Sequence, residues 1–280
     1  MRIIKSQKIT EAVARLCIRA NCRLSQDVKD CIQACHAGET WPIAKDTLGK
    51  IIENYELAAR ANVPVCQDTG VACVFLEIGE DVHISGRIAD AVDEGVRRGY
   101  GEGYLRKSVV SEPLFERINT KDNTPAFLYT EYVPGDQVTV TVAPKGFGSE
   151  NESKLKMLLP SDGIDGVIKF VVESVAGSGP NPCPPVLVGV GLGGTFDKAA
   201  LLAKKALLRP AGQPNADPRY AQLETELLEK INALGIGPQG YGGRATALAV
   251  AIEYTATHIA GLPCAINLNC HVARHASEVI

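Results

Sequence analysis

Two periods of apolar residues occupy different parts of this chain, and the change from one to the other near residue 62 restricts it to a mixed α/β fold. Ile9, Val13, Leu16, Cys17 and Ala20 recur at the 3.6-residue spacing of a helix, as do Leu48, Ile51, Ile52, Tyr55 and Ala59. The first sixty residues are therefore predicted to be mostly helical, each helix turning one face inward. From Val71 short β-prone runs take over: Val71 to Ile78, Ala126 to Val133 and Gln137 to Val142, with a helix expected near Ile88 to Arg98. Pro134-Gly135-Asp136 separates the last two runs and reads as a hairpin-like turn. Beyond them, Gly163 to Ala176, Asp197 to Leu208 and Tyr220 to Leu234 have helical spacing, while Pro185 to Val190 and Thr246 to Tyr254 read as extended. No internal repeat or low-complexity tract is visible, and Pro210 to Pro218 is too short a linker to prove a boundary. The expectation is one domain over residues 1–280, helical to about 62 and mixed from about 63.

Charge excludes one class of function. The formal net charge is −3 and no Lys/Arg-rich run occurs, so the long-range field with which nucleic-acid binders gather phosphates is missing. The N-terminal MRIIKSQKIT holds no apolar stretch of signal-peptide length, and the most apolar later region is broken by Glu253 and His258, so no membrane association and a cytoplasmic location are expected. Nine cysteines, an odd number scattered through 280 residues, do not form the framework of a secreted disulfide protein; reduced thiols are expected.

The cysteines fall into groups by setting. Cys17, Cys22 and Cys73 lie in periodic segments, where filling a packing position explains them. Cys31 and Cys35 share a helical face; Cys35-His36 resembles a haem attachment site only superficially, because three residues rather than two separate the cysteines. Cys66, Cys183 and Cys270 occur in the loop-like contexts VPVCQDTG, NPCPP and NLNC. Pro182, Pro184 and Pro185 fix backbone angles around Cys183, a mount suited to a ligand thiolate. Spacing alone leaves a shared metal open, since no CxxC pair makes the local bite of a zinc or ferredoxin site.

Resemblance adds what spacing does not. VPVCQDTG, KGFGSENESKLKMLLPSDG from Lys145, NPCPPVLVGVGLGGTFDKAALLAKKALLRP from Asn181 and LGIGPQGYGGRATALAV from Leu234 together resemble the α region of class I fumarases and of the related L-tartrate dehydratase, over nearly the whole chain after about residue 40. The resemblance implies that Cys66, Cys183 and Cys270 hold a 4Fe-4S cluster, with Cys264 as the nearest rival to the last. Three thiolates on four irons leave one open metal position, which is what a Lewis acid requires. It further implies Asp68 as the acid/base group, acting with a threonine from the other half of the enzyme. Gln67, Arg106, Gly148 and His258 are implied to contact a small dicarboxylate substrate. Read locally, Asp68-Thr69-Gly70 is also a turn with an Asx hydrogen bond, Gly148 an ordinary glycine turn, and His258 a hydrogen-bonded core residue. His271 stands where relatives are expected to carry a bulky aromatic, so its contact with the cluster is open.

The chain ends ten residues after Cys270, and the β region that follows directly in one-chain relatives is expected as a separate β subunit, in an α2β2 assembly. KGFGSEN and THIAGLP resemble fumarase more than tartrate dehydratase, so hydration of fumarate to L-malate in the tricarboxylic acid cycle is expected first and tartrate dehydration second. Two other classes stand behind these. Gly189-Val-Gly191-Leu-Gly193-Gly194 satisfies the GxGxxG wording of an NAD-linked dehydrogenase, but no strand ending in an acidic residue follows its helix. A non-catalytic, zinc-stabilised interaction subunit is the other.

Overall fold

The computed structural model describes residues 2–280. In chain order its main elements are β1 (Arg2–Lys5), α1 (Ser6–Cys22), α2 (Gln26–Gly38), α3 (Pro42–Ala61), β2 (Val71–Gly79), β3 (Val82–Ser85), α4 (Ile88–Glu102), β4 (Phe127–Val133), β5 (Val138–Lys145), α5 (Phe147–Glu150), β6 (Lys154–Leu158), α6 (Gly163–Ser178), β7 (Val186–Gly194), α7 (Phe196–Ala206), α8 (Pro218–Asn232), β8 (Ala247–Thr257), β9 (Leu262–Asn269) and β10 (Ala276–Val279). The mixed α/β class expected from the two periods is what the chain adopts. Its residues divide into two compact units interleaved along the sequence: Met1–Ser25 with Tyr55–Gly146 and Arg274–Ile280, and Gln26–Asn54 with Phe147–Ala273. Among the described residues no helix is long and apolar enough to cross a membrane.

The first unit is built around β2, whose nine residues are buried except Glu77. Its sheet runs β10-β5-β2-β4, with β4 parallel and β5 antiparallel to β2. This corrects the hairpin reading of Pro134-Gly135-Asp136: β4 and β5 do not pair, because the turn carries the chain across the end of β2. There Gly79 N donates to Gln137 O at 2.8 Å and Asp81 N to Gly135 O at 3.0 Å. The most apolar run takes the centre and the two half-polar runs flank it. A second departure is β1, a short strand at the head of the expected helical section, paired in parallel with β3.

Ala72, Val74, Leu76 and Ile78 of β2 pack with Val138, Val140 and Val142 of β5 beneath α1 and α4. The two helices approach closely because Gly95 and Gly99 of α4 lie against Thr10, Val13, Ala14 and Cys17 of α1, where a Cβ would overlap the facing atoms. Thr10 Oγ1 donates to Ala91 O at 2.9 Å across the same seam.

The second unit repeats this topology, although the sequence carries no detectable repeat. Its sheet runs β6-β9-β7-β8, with β8 parallel and β9 antiparallel to the central β7. The β8–β9 connection again crosses the end of the central strand, where Thr257 Oγ1 donates to Gly194 O at 3.0 Å. Alternation along β7 explains its composition. Val186, Val188, Val190 and Leu192 join Val167, Val171 and Val175 of α6 and Leu227 and Ile231 of α8 in one core. The opposite positions, Gly189 and Gly191, lie under Ala199 and Ala203 of α7, with no space for a Cβ. The GxGxxG wording therefore reports strand and helix in close contact, not a phosphate loop.

Gly191→Ala is expected to destabilise the chain by about 1–3 kcal/mol through overpacking against the α7 backbone. Gly38→Ala, with no described atom within 4 Å of the added methyl, is expected to leave the urea midpoint unchanged or slightly raised.

Candidate active site

In the first unit, the segment from Cys66 to Gly70 leads from α3 into β2, and its inward carbonyls are held by residues distant in sequence. Tyr100 Oη lies 2.9 Å from Thr69 O and 3.0 Å from Gly70 O. Asn123 Nδ2 donates to Gly70 O at 3.2 Å, while its Oδ1 accepts from Ser108 N at 2.7 Å. Arg274 donates through Nη2 to Asp68 O. Val65 N donates to Asn21 O at 2.9 Å, and Thr69 Oγ1 donates to Arg106 O at 3.1 Å. Burial pushes the Tyr100 phenol well above its ordinary range, so it remains a proton donor to the carbonyls at any pH the protein meets.

The loop turns at Gly70, whose φ of 71° belongs to the left-handed region and where a Cβ would lie 2.5 Å from the Lys145 carbonyl carbon. Asp68 Oδ1 accepts from Gly70 N at 3.0 Å, the Asx hydrogen bond expected of the local turn. The turn and a chemical role are compatible, because a carboxylate has acceptor sites beyond one hydrogen bond. Above the pinned carbonyls, Cys66 is part-exposed and Gln67 exposed, with Cys66 Sγ 3.7 Å from Gln67 Oε1. Arg106 is exposed and joined to this loop through its own carbonyl.

In the second unit, Cys183 precedes the central β7 just as Cys66 precedes β2, and Cys270 follows the neighbouring β9. The Leu187–Asn269 pairing brings these two chain ends together. His271 N donates to Cys183 O at 3.3 Å, and His271 Nδ1 lies 3.0 Å from the same oxygen. The His271 ring thus meets the Cys183 backbone. Gln239 Nε2 donates to Pro184 O at 2.9 Å and lies 3.1 Å from His271 Nδ1, closing a small polar network around the NPCPP turn. Cys183 is exposed at φ 56°, a left-handed position that costs a non-glycine residue free energy.

Gly148 belongs to the same end of this unit, with its would-be Cβ 3.6 Å from Asn181 O. The KGFGSEN turn is fastened by Glu150, which accepts from Lys204 Nζ at 2.8 Å and Asn267 Nδ2 at 2.7 Å. Asn181 Nδ2 donates to Glu152 Oε1 at 3.1 Å. His258 is elsewhere. It opens the turn over the far end of β7, exposed, with Nδ1 accepting from Ala260 N at 3.1 Å. The pairings Leu187–Asn269 and Gly194–Thr257 put seven strand steps of about 3.3 Å, roughly 23 Å, between the ends carrying Cys270 and His258. His258 is therefore neither the core histidine of the local reading nor a neighbour of Cys183 in its own unit.

Burial sorts the nine cysteines. Cys17, Cys22, Cys73 and Cys264 are buried, Cys31, Cys35, Cys66 and Cys270 part-exposed and Cys183 exposed; burial nonetheless raises the Cys31 thiol and pushes Cys35 up to about 11. Cys264 lies inside the β7–β9 core, where burial pushes its thiol up to about 12; Cys17 is raised to about 12 for the same reason. Cys264 is thereby a packing residue rather than a rival ligand. Among the described residues no group of three or more His, Cys, Asp or Glu is gathered to hold a metal ion.

Comparison with known proteins supplies the class. A model of the fumarate hydratase (Fumerase) family matches residues 10–279, and the chain belongs to that family. It is 45% identical over 279 residues, 98% of each chain, to a Methanocaldococcus jannaschii protein provisionally named L(+)-tartrate dehydratase subunit alpha. It is also 34% identical over 277 residues to the L(+)-tartrate dehydratase subunit alpha of Escherichia coli O157:H7, covering 98% of this chain and 91% of that one.

Only the thiolate form of cysteine alkylates, and Cys17 and Cys264 stay protonated until the pH nears their raised values of about 12. Between about pH 7 and about pH 9, iodoacetamide is expected to label Cys183, Cys66 and Cys270 in the reduced chain and to leave Cys17 and Cys264 unmodified, read by peptide mass spectrometry.

Proposed function

We propose that this chain is the cluster-binding α subunit of an oxygen-sensitive 4Fe-4S hydro-lyase that hydrates fumarate to L-malate reversibly, together with a separate β subunit in an α2β2 assembly. The observation that carries the reading is the family match over residues 10–279, with relatives named as α subunits. Cys66, Cys183 and Cys270 are the proposed ligands. Their donor set suits such a cluster: three reachable thiols in loops, two of them entering central strands, whereas the part-exposed Cys31 and Cys35 lie on α2 and the other four cysteines are sequestered. A cluster held by three thiolates supplies an open iron as Lewis acid toward a hydroxyl oxygen.

The chain's own residues do the rest. Asp68, on a loop whose carbonyls are pinned from below, takes or gives the proton at the carbon next to the hydroxyl-bearing one. Arg106 pairs with a substrate carboxylate, for which a planar guanidinium is well shaped. Gln67 donates through its side-chain amide, and the exposed Gly148 lets substrate approach the backbone. The β subunit contributes the threonine that works with Asp68 and covers the substrate from the other side. His258 requires a different arrangement. At the far end of its sheet it reaches a substrate only in a neighbouring site, and the second α chain of an α2β2 assembly supplies that site.

A second reading, tartrate dehydration to oxaloacetate, is favoured by the names of the relatives. Tartrate carries one more hydroxyl than malate. A site built to hydrogen-bond that hydroxyl rejects the analogue lacking it, so comparing turnover of the anaerobically reconstituted αβ enzyme on malate and on tartrate decides between the two. Cys66→Ser, Cys183→Ser and Cys270→Ser are each expected to abolish the brown chromophore formed with iron and sulfide, whereas Cys31→Ser and Cys35→Ser retain it. Stoichiometric zinc without a chromophore would replace the enzyme by a metal-stabilised module. Asp68→Asn is expected to keep the cluster and lose turnover by about 100-fold or more; unchanged turnover reduces Asp68 to a turn residue.

A further inference from the structure

Arg274 is 5% exposed. Nη2 donates to Asp68 O, but Nε and Nη1 are buried with no hydrogen-bond partner among the described residues. Its charge acts on Tyr100 and Cys22, favouring the ionised form of each against the larger effect of burial. Neither is a standing anion, since burial keeps both protonated. A guanidinium in such a place is expensive to fold, because a buried cation is normally paired with a carboxylate or satisfied by acceptors on every N–H. A methionine or leucine fills similar volume without the buried charge, giving up the one hydrogen bond to the Asp68 carbonyl, which a neutral donor could also make. The residue is therefore poorly explained by folding alone, and its one firm contact identifies what it acts on.

That contact is the outermost of the three backbone ties beneath the Cys66–Gly70 loop. Tyr100 and Asn123 secure the carbonyls of Thr69 and Gly70, already at the mouth of β2. Arg274 alone among these three reaches the carbonyl of Asp68, the residue that bears the proposed acid/base group and lies two positions from the proposed ligand Cys66. A neutral donor would make the same hydrogen bond without the charge. Charge-assisted bonds are shorter and stiffer than neutral ones, and small displacements of a reacting group carry large losses in rate.

We propose that Arg274 is a positioning residue that fixes the Asp68 backbone for catalysis at a cost in folding stability. The proposal rests on the hydro-lyase reading for its kinetic part and on the loop geometry alone for its structural part, and the two are tested separately. In the reduced α chain, Arg274→Met is expected to raise the iodoacetamide labelling rate of Cys66 severalfold relative to Cys183, with Cys17 still protected and the melting temperature close to that of the parent, relief of the buried charge offsetting the donor lost by the Asp68 carbonyl. Arg274→Lys, which keeps the charge and one donor, is expected to restore part of the slow Cys66 labelling. In the reconstituted αβ enzyme, Arg274→Met is expected to lower kcat about 10- to 100-fold with KM nearly unchanged, and Arg274→Lys to recover part of it. Parental Cys66 labelling in Arg274→Met overturns the proposal. So does a lowered melting temperature with Cys17 opening alongside, which marks a purely structural residue, or an unchanged kcat in an active enzyme. An inactive parental αβ enzyme sinks the hydro-lyase reading, and the labelling and melting results still decide whether Arg274 positions the loop.

Discussion

Three consecutive carbonyl oxygens, those of Asp68, Thr69 and Gly70, turn inward where the chain enters β2, and a buried carbonyl left without a donor costs the molecule on the order of 1–3 kcal/mol. The side chains that meet them come from α4, from the loop before β4 and from the C-terminal segment. Everything above the loop follows from that accounting. Cys66, Gln67 and Asp68 can present side chains outward because the backbone beneath them is spoken for. The close α1–α4 seam at Gly95 and Gly99 then fixes the height at which Tyr100 arrives.

The two units solve the same problem with the same strand order. In each, a buried central strand is entered from a cysteine-bearing loop, paired in parallel by the next sheet strand and in antiparallel by the one after. In each, the connection between the flanking strands passes over the opposite end. In each unit the loops bearing the proposed cluster ligands therefore lie at the entry end of the central strand. In the second unit the entry end holds Cys183, Cys270, His271, Gln239 and Gly148, with Gln239 and His271 hydrogen-bonded to each other and to the backbone of Cys183 and Pro184. The crossing end holds His258, and no local adjustment of a sheet brings its two ends together.

Much of this order was legible in the amino acids. The 3.6 period located α1, α3, α4, α6, α7 and α8, and the apolar runs located β2, β4, β5, β7 and β8 within a few residues. Strand order is not legible, because pairing is decided by which run is most thoroughly buried rather than by adjacency, and so a turn between neighbouring runs reads locally as a hairpin. The short β1, β3, β6 and β10 carry too few residues for a period to show, and the eight-residue β9 is missing from the sequence expectations, its end legible only as the loop-like NLNC. For the site, the loop contexts of Cys66, Cys183 and Cys270 stood out through proline, glycine and asparagine, and the roles of Gln67, Asp68, Arg106 and Gly148 came from resemblance. The supporting donors left no local trace: Tyr100 looks like a helix residue, Asn123 a loop residue, Arg274 a surface charge. Each is recognisable only once a chain segment 30 to 206 residues away is folded against it.

The sorting of cysteines by depth bears on what oxidants do to this molecule. A peroxide or dissolved oxygen reaches sulfur by way of an accessible thiolate, and sulfenic acid or a mixed disulfide forms there first. Cys183, Cys66, Cys270, Cys31 and Cys35 lie within that reach, whereas Cys17, Cys22, Cys73 and Cys264 are sealed in packed interiors. Oxidative injury is thus kept to sulfurs outside the packed cores, those of the three loops and of α2, and its early stages are reversible by a thiol reductant without the chain having to unfold and start again.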